Sequence, residues 1–227
     1  MIPPLADIEW LPAWRIIPSR FPPTGLFDRV AAPEDLEAIY ALESMTNDRL
    51  RDEVGNLQLI APEDRISGSG SSPIMAAFTH LNPDGSRFCD GSYGVFYAAY
   101  SLETAIAETR YHRERFLRAT RENPIEVDMR VYNVDLRGQL HDIRPQGSVS
   151  AEIYHLEDYR TSSSWARKMR DEGSHGVVYR SVRHELGMNA AIFKPKLLSN
   201  CRQERHLCYA WDGQGITHIY HKELYSY

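Results

Sequence analysis

The most regular hydrophobic pattern in the chain is a strict alternation at Ile125, Val127, Met129 and Val131, whose phase then moves to Tyr132, Val134 and Leu136. Period-two patterning belongs to a strand with one buried face, and a phase change without a break predicts one long strand with a bulge or bend. Ahead of it, Gly94 to Tyr100 (GVFYAAY) is a short apolar, aromatic run suited to a buried strand. Ser101 then stands where a helix N-cap is needed, and Leu102, Ala105, Ile106 and Phe116 supply a buried side for a helix running to about Ala119.

Other elements are marked by their punctuation. Pro33-Glu34-Asp35 before Leu36, Ile39 and Tyr40 carries the proline and acids of a helix start. Thr46 to Ser72 is polar and rich in turn formers, ending in Gly68-Ser69-Gly70-Ser71-Ser72-Pro73, and reads as a flexible surface excursion leading into a short helix at Ile74 to His80. A helix near Ser163 to Asp171 ends at Gly173, and Gly176 to Val182, Ala190 to Phe193, His206 to Trp211 and Ile216 to Tyr220 read as short strands. Strands and helices follow one another irregularly, which predicts an α+β fold rather than a doubly wound α/β sheet. Without an internal repeat or a composition break, 227 residues are expected to form one domain.

Composition narrows the function classes. The chain is 42% hydrophobic and 25% charged, in the ordinary globular range. A net charge of −5 and a pI near 6.0 argue against a protein that neutralises a nucleic-acid backbone. Cys89, Cys201 and Cys208 are odd in number and lack framework spacing, so reduced thiols in a reducing compartment are expected. Met1 to Arg20 contains Asp7 and Glu9 and no continuous apolar run, so neither a signal peptide nor a membrane span is expected there, and the cytoplasm is the expected location.

Several familiar chemistries lack their residues. The Gly68 to Pro73 stretch has no P-loop lysine, and proline replaces the third glycine of a dinucleotide fingerprint. His218 and His221 point to opposite faces of a strand, and Cys201, His206 and Cys208 match no common zinc spacing, so no metal is expected. No G-x-S-x-G elbow is present, and Cys89 has the setting of a small semi-buried thiol.

More informative is an ordered series of blocks: Gly85-Ser86-Arg87-Phe88, then Gly91-Ser92-Tyr93-Gly94-Val95-Phe96-Tyr97, then Ala105-Ile106-Ala107-Glu108-Thr109-Arg110-Tyr111-His112. Gly176-Val177-Val178-Tyr179-Arg180-Ser181 and Asn189-Ala190-Ala191-Ile192-Phe193-Lys194-Pro195 complete it. Singly, Arg87 reads as a surface arginine, Tyr97 as a core tyrosine and Glu108 as a solvated helical glutamate. Together the blocks, spanning roughly Trp14 to Trp211, resemble the RES domain, named for its arginine, glutamate and serine.

That resemblance implies an ADP-ribosyltransferase-like split mixed β-sheet flanked by helices, with NAD⁺ as substrate. It also implies a toxin restrained by an Xre-type helix-turn-helix antitoxin, and is compatible with a homodimer. Carried over residue by residue, Arg87 matches the family arginine, Tyr97 the aromatic, Glu108 the glutamate and Ser181 the serine, and Arg15 matches the N-terminal arginine best, with Arg20 as the rival. In these roles Glu108 stabilises charge on the ribose, Arg87 with Arg15 or Arg20 binds pyrophosphate, and Tyr97 and Ser181 position the substrate. The chemistry needs no metal or second cofactor, because nicotinamide is already a cationic leaving group; water, inorganic phosphate or a protein side chain would serve as acceptor. Two departures stand out: Phe88-Cys89 replace the Trp-Asn of compact members, and the segment from Glu43 to Thr79 is longer than a compact domain needs. A mono-ADP-ribosyltransferase and a non-catalytic nucleotide-binding module are the competing readings.

Overall fold

The computed structural model describes residues 2–19, 28, 55–223 and 225. The helix expected around Leu36 to Tyr40, Arg20 and the first part of the long 43–79 segment lie outside them. Among the described residues, seven strands form one sheet: β1 (Leu5–Pro18), β2 (Phe96–Ala99), β3 (Ile125–Asp142), β4 (Gly176–Arg180), β5 (Met188–Ile192), β6 (Leu198–Trp211) and β7 (Ile216–Lys222). Three α-helices lie wholly within the described residues: α1 (Ser71–Thr79), α2 (Leu102–Ala119) and α3 (Arg160–Asp171).

The strand order is β1-β2-β5-β4-β3-β6-β7, and β1 pairs with β3 as well. Hydrogen bonding therefore closes a circuit through β1, β2, β5, β4 and β3, from which β6 and β7 continue. β3 and β4 run parallel and every other pair is antiparallel. The circuit is barely closed at one point, because β1 and β2 share the single pair Trp14–Ala99. This is the mixed, split sheet of an α+β fold that the sequence predicts.

β3 carries the alternation that stands out in the sequence, and its register against β6 shifts between Val131 and Tyr132, where the apolar phase changes. The strand runs on to Asp142 through Gly138, where a Cβ would sit 2.8 Å from Leu197 Cγ. β1 has no counterpart in the sequence reading. Ile8 and Trp10 are buried in one phase, the register shift between Trp10 and Ala13 brings Ala13 to the same face one position out of phase, and Ile16 is buried on the other face, so the alternation that would reveal a strand is broken. β6 starts at Leu198 rather than His206 because its first half exposes Arg202, Gln203 and Glu204 and so looks like a loop.

Helix boundaries also move. Gly70 caps α1 in the left-handed region (φ 80°), and a Cβ there would lie 2.4 Å from the Cys201 carbonyl oxygen. Contrary to the expectation of a flexible linker, this stretch is packed onto β6, and the helix begins at Ser71. Asp28 completes the cap, accepting from Ser72 N at 2.8 Å and Ser72 Oγ at 2.9 Å. In α2, Ser101 Oγ accepts from Thr104 N at 3.2 Å as expected, but Phe116 is 40% exposed and Leu117 is buried in its place. The last turns of α2 face the β6–β7 hairpin, where Glu114 accepts from Ile216 N and Arg118 donates to Gln214 O, and that turns Phe116 outward.

The core divides across the sheet. Phe96, Val178 and Ala190 pack with Ile74, Met75 and Phe78 of α1 on one face. Tyr97, Tyr179 and Ala191 face the other way, with Phe88, Ile153 and Ala166 of α3. Alternation along β2, β4 and β5 thus sends Tyr97 and Tyr179 to the same side, the side over which the α2 carboxylate hangs.

Candidate active site

Glu108 sits two turns into α2, directly beyond the end of β2, and is partly buried. Its Oε1 accepts from Ser181 Oγ at 2.7 Å and from Asn189 Nδ2 at 2.8 Å. Both hydrogen bonds fall on the same oxygen, and Oε2 receives none from the described residues. The helix presents a carboxylate with one oxygen fixed and the other open.

Ser181 is fixed in turn. Its hydroxyl oxygen accepts from the backbone N–H groups of Arg183 and His184, each at 3.0 Å, so its own proton is directed at Glu108. The 181–187 loop is anchored on the first turn of α2 by Thr104 Oγ1 against His184 Nδ1 at 2.8 Å, and Ser181 N donates to Gly187 O at 2.7 Å. Asn189, on β5, is 4% exposed and is the polar residue in an otherwise apolar buried run, Ala190-Ala191-Ile192. A buried amide in a strand needs a partner, and Glu108 is that partner.

Arg87 comes from the other wall and is 7% exposed. Its Nη1 donates to the carbonyls of Ile153 at 2.9 Å and His155 at 2.8 Å, and its guanidinium lies 4.7 Å from the centre of the Tyr159 ring. Nε and Nη2 find no acceptor among the described residues. The turn that carries Arg87 is held by Tyr97, whose hydroxyl lies 2.7 Å from Ser86 Oγ and accepts from Phe88 N at 3.0 Å. Burial pushes the Tyr97 phenol above its ordinary range, against the opposing hydrogen bonds from Ser86 and Phe88, so it stays protonated at neutral pH. Tyr179 lies between the two walls, raised well above the usual phenol range by burial and then by the charge of Glu108. Phe88 packs edge-on against it at 4.8 Å.

The structure thus brings Glu108 and Ser181 into contact, and Tyr97, on β2, holds the turn that bears Arg87. Arg15 is placed differently. Its Nη1 donates to the Tyr97 carbonyl at 3.0 Å, and its guanidinium lies 4.4 Å from the centre of the Phe96 ring, which faces away from the Tyr97 ring. Desolvation lowers it to about 10. There it satisfies the edge of β2 where β1 diverges. Arg20 lies outside the described residues. Asn189, Tyr179 and Arg183 are neighbours of the site to which the sequence assigns no role; only Asn189, a polar residue in a buried run, leaves a visible signal.

Cys89 serves its turn: its thiol donates to Tyr93 O at 2.7 Å and accepts from Gly91 N at 3.2 Å. A separate cavity of about 300 Å³ lies behind that turn, lined by Phe78, Tyr93, Arg170, Phe193 and Lys194 among others. It contains none of the residues that converge on Glu108. Among the described residues no group of three or more His, Cys, Asp or Glu could hold a metal ion, and no helix is long and apolar enough to cross a membrane.

The same blocks that form these walls match the model of the RES domain over residues 62–212. The chain belongs to the RES family. A relative in sequence, the uncharacterized protein y4oC of Sinorhizobium fredii (strain NBRC 101917 / NGR234), is 33% identical over 207 residues, covering 91% of this chain and 86% of that protein. Among solved structures, the M. tuberculosis MbcT–MbcA toxin–antitoxin complex aligns with a TM-score of 0.48 and 10% identity, covering 91% of this chain and 87% of the matched chain. The RES match begins at Pro62, so β1 and Arg15 fall before it while Arg87, Tyr97, Glu108 and Ser181 fall inside.

Proposed function

We propose that this RES protein cleaves the N-glycosidic bond between nicotinamide and ribose in NAD⁺. The observation that carries the reading is the Glu108 carboxylate, with Oε1 held by Ser181 and Asn189 and Oε2 left open. As the bond from ribose C1′ breaks, its electron pair passes to the nicotinamide nitrogen and the ribose gains oxocarbenium character. A fixed carboxylate oxygen stabilises that charge chiefly in the transition state, where stabilisation accelerates the reaction. An oxygen of water or of inorganic phosphate then adds to C1′ and releases its proton, giving ADP-ribose or its phosphorylated form.

Arg87 suits the pyrophosphate: Nη1 is spent on Ile153 and His155, leaving Nε and Nη2 as donors. The Tyr97 hydroxyl is occupied by Ser86 and Phe88, so its ring is what it offers to the nicotinamide. Ser181 acts through Glu108, and Arg15 supports β2 from behind. Family membership supports a cytoplasmic toxin restrained by an Xre-type antitoxin that covers this cleft.

The test is incubation of the purified protein with NAD⁺, with and without inorganic phosphate, followed by separation of the products, alongside Glu108→Ala. Nicotinamide release that disappears in Glu108→Ala is the expected result, and the second product names the acceptor. A folded wild-type protein that leaves NAD⁺ intact overturns the reading. A labelled protein in place of free ADP-ribose converts it to a mono-ADP-ribosyltransferase.

A further inference from the structure

Two arginines meet at one bend of the chain. Arg87 Nη1 donates to the carbonyl of His155, and Arg183 Nη2 donates to the carbonyl of the next residue, Leu156. Successive carbonyls therefore tether both guanidinium groups to one bend, one arginine coming from the turn before β2 and the other from the loop after β4. Each is backed by a tyrosine: Arg87 lies over Tyr159 and Arg183 lies 3.4 Å from the centre of the Tyr111 ring. Neither has a carboxylate within ion-pair distance among the described residues. Arg183 Nε is buried and has no hydrogen-bond partner among the described residues.

Two cations tethered to one bend, with no ion-paired carboxylate among the described residues, repel one another, and a buried donor left unpaired costs more than a typical hydrogen bond returns. Such an arrangement is satisfied by an anion that accepts from both forks. His112, one residue beyond Tyr111, reports the field: desolvation and then Arg183, Arg115, Arg87 and Arg113 hold its imidazole below the ordinary range. The clamp is also tied to the reacting carboxylate, because Arg183 N donates to Ser181 Oγ, which donates to Glu108.

We infer that Arg183 and Arg87 form a paired clamp for a diphosphate, with Arg183 a substrate-positioning residue. The planar forks of two arginines match two adjacent phosphoryl groups, each by paired N–H donors, in a way lysine does not reproduce. The identity of the diphosphate as that of NAD⁺ rests on the proposed reaction; the clamp itself does not. Its position on the Ser181 loop means that binding the diphosphate also fixes the serine that orients Glu108.

The experiment is calorimetric titration of the full chain with inorganic pyrophosphate and with ADP-ribose, comparing wild type, Arg183→Gln and Arg183→Lys. Melting curves serve as a check on folding. Wild type is expected to bind both probes, Arg183→Gln to bind each at least roughly tenfold more weakly, and Arg183→Lys to fall between, since it keeps the charge and loses the fork. Turnover of NAD⁺ in the same variants should show a raised KM with a smaller change in kcat. Equal affinity in wild type and both folded variants, or no pyrophosphate binding to wild type, overturns the clamp. If the clamp binds pyrophosphate and NAD⁺ is not consumed, the proposed reaction fails and the clamp stands. If NAD⁺ is consumed with KM unchanged in the variants, the reverse holds. Should Arg183→Gln not fold, Arg183→Lys decides by the same criteria.

Discussion

Ser181 Oγ donates to Glu108 Oε1 at 2.7 Å while accepting two backbone N–H groups at 3.0 Å, so the serine proton has one direction left to it. Ser181→Ala removes an orienting donor from the carboxylate and leaves two amide protons without their acceptor. The expected outcome is a fall in kcat of roughly tenfold to a hundredfold with a smaller change in KM, the pattern of a lost transition-state contact. Ser181→Thr, which keeps the hydroxyl, should recover part of the rate. Steady-state nicotinamide release measures both, and wild-type rates in the alanine variant would refute the orienting role.

Asn189 holds the same oxygen at 2.8 Å from a buried position on β5. In Asn189→Asp two carboxylates share this space, and like charges at that distance do not both ionise readily, so the pair binds a proton at higher pH. The folded-state pKa then lies above the unfolded value. The sign follows: the variant's stability relative to wild type is best below the unfolded carboxylate pKa and declines as pH rises through the raised folded value. Melting temperature against pH from 4 to 8 should therefore show the gap to wild type widening with pH, and a constant gap would refute the shared-proton account. Activity should fall most over the pH range in which the pair shares a proton, because a protonated Glu108 no longer offers the negative charge that the proposed transition state needs.

The sequence makes the central strand and the β2–α2 unit plain because each carries its own period: two along β3, then an N-cap and helical spacing from Ser101. It hides β1 because Leu11-Pro12 changes the buried phase midway, and it hides the first half of β6 because that stretch exposes its polar face. The candidate site is legible only in part for a related reason. Arg87, Tyr97, Glu108 and Ser181 stand in blocks that resemble a family, whereas Arg183 gains its meaning from Leu156 and Tyr111, residues brought near by folding and separated from it in the chain. Arg15 resembles a ligand-binding arginine in sequence, and only the geometry places it against Phe96 at the edge of β2.

Tyr97 separates ring from hydroxyl. Tyr97→Phe keeps the ring and loses the acceptor for Phe88 N and the partner of Ser86, so the turn bearing Arg87 loosens. A loss of stability on the order of 1–2 kcal/mol is expected from the stranded donor, with KM for NAD⁺ raised more than kcat is lowered. Tyr97→Ala should lose kcat as well. Identical kinetics for the two variants would show that the ring contributes nothing beyond the turn.

The cysteines should be inert in the native protein. Burial pushes Cys201 up to about 12 and raises Cys89, and both are buried, as is Cys208. Since the thiolate is the nucleophile, iodoacetamide at pH 8 should leave all three unlabelled in the folded chain and label all three in denaturant, as read by intact mass. Rapid native labelling of Cys89 would contradict its role of donating to Tyr93 O.

Gly187 decides whether the 181–187 loop seats on its helix. A Cβ there would stand 2.8 Å from Thr104 Oγ1, 2.9 Å from Thr104 Cγ2 and 3.0 Å from His184 Nδ1, all tighter than ordinary contact. Gly187→Ala should therefore push the 181–187 loop off the first turn of α2 and separate Ser181 from Glu108, at an overpacking cost of roughly 1–3 kcal/mol. Thr104→Ala removes both clashing atoms of that side chain, though it also deprives His184 of its partner. Combining the two should recover stability and activity beyond the sum of the single effects, because residues in contact couple non-additively. If the double variant is instead simply additive in melting temperature and in NAD⁺ turnover, the Gly187–Thr104 contact is not what seats the loop, and the orientation of Ser181 must be set by its backbone bonds to Arg183 and His184 alone.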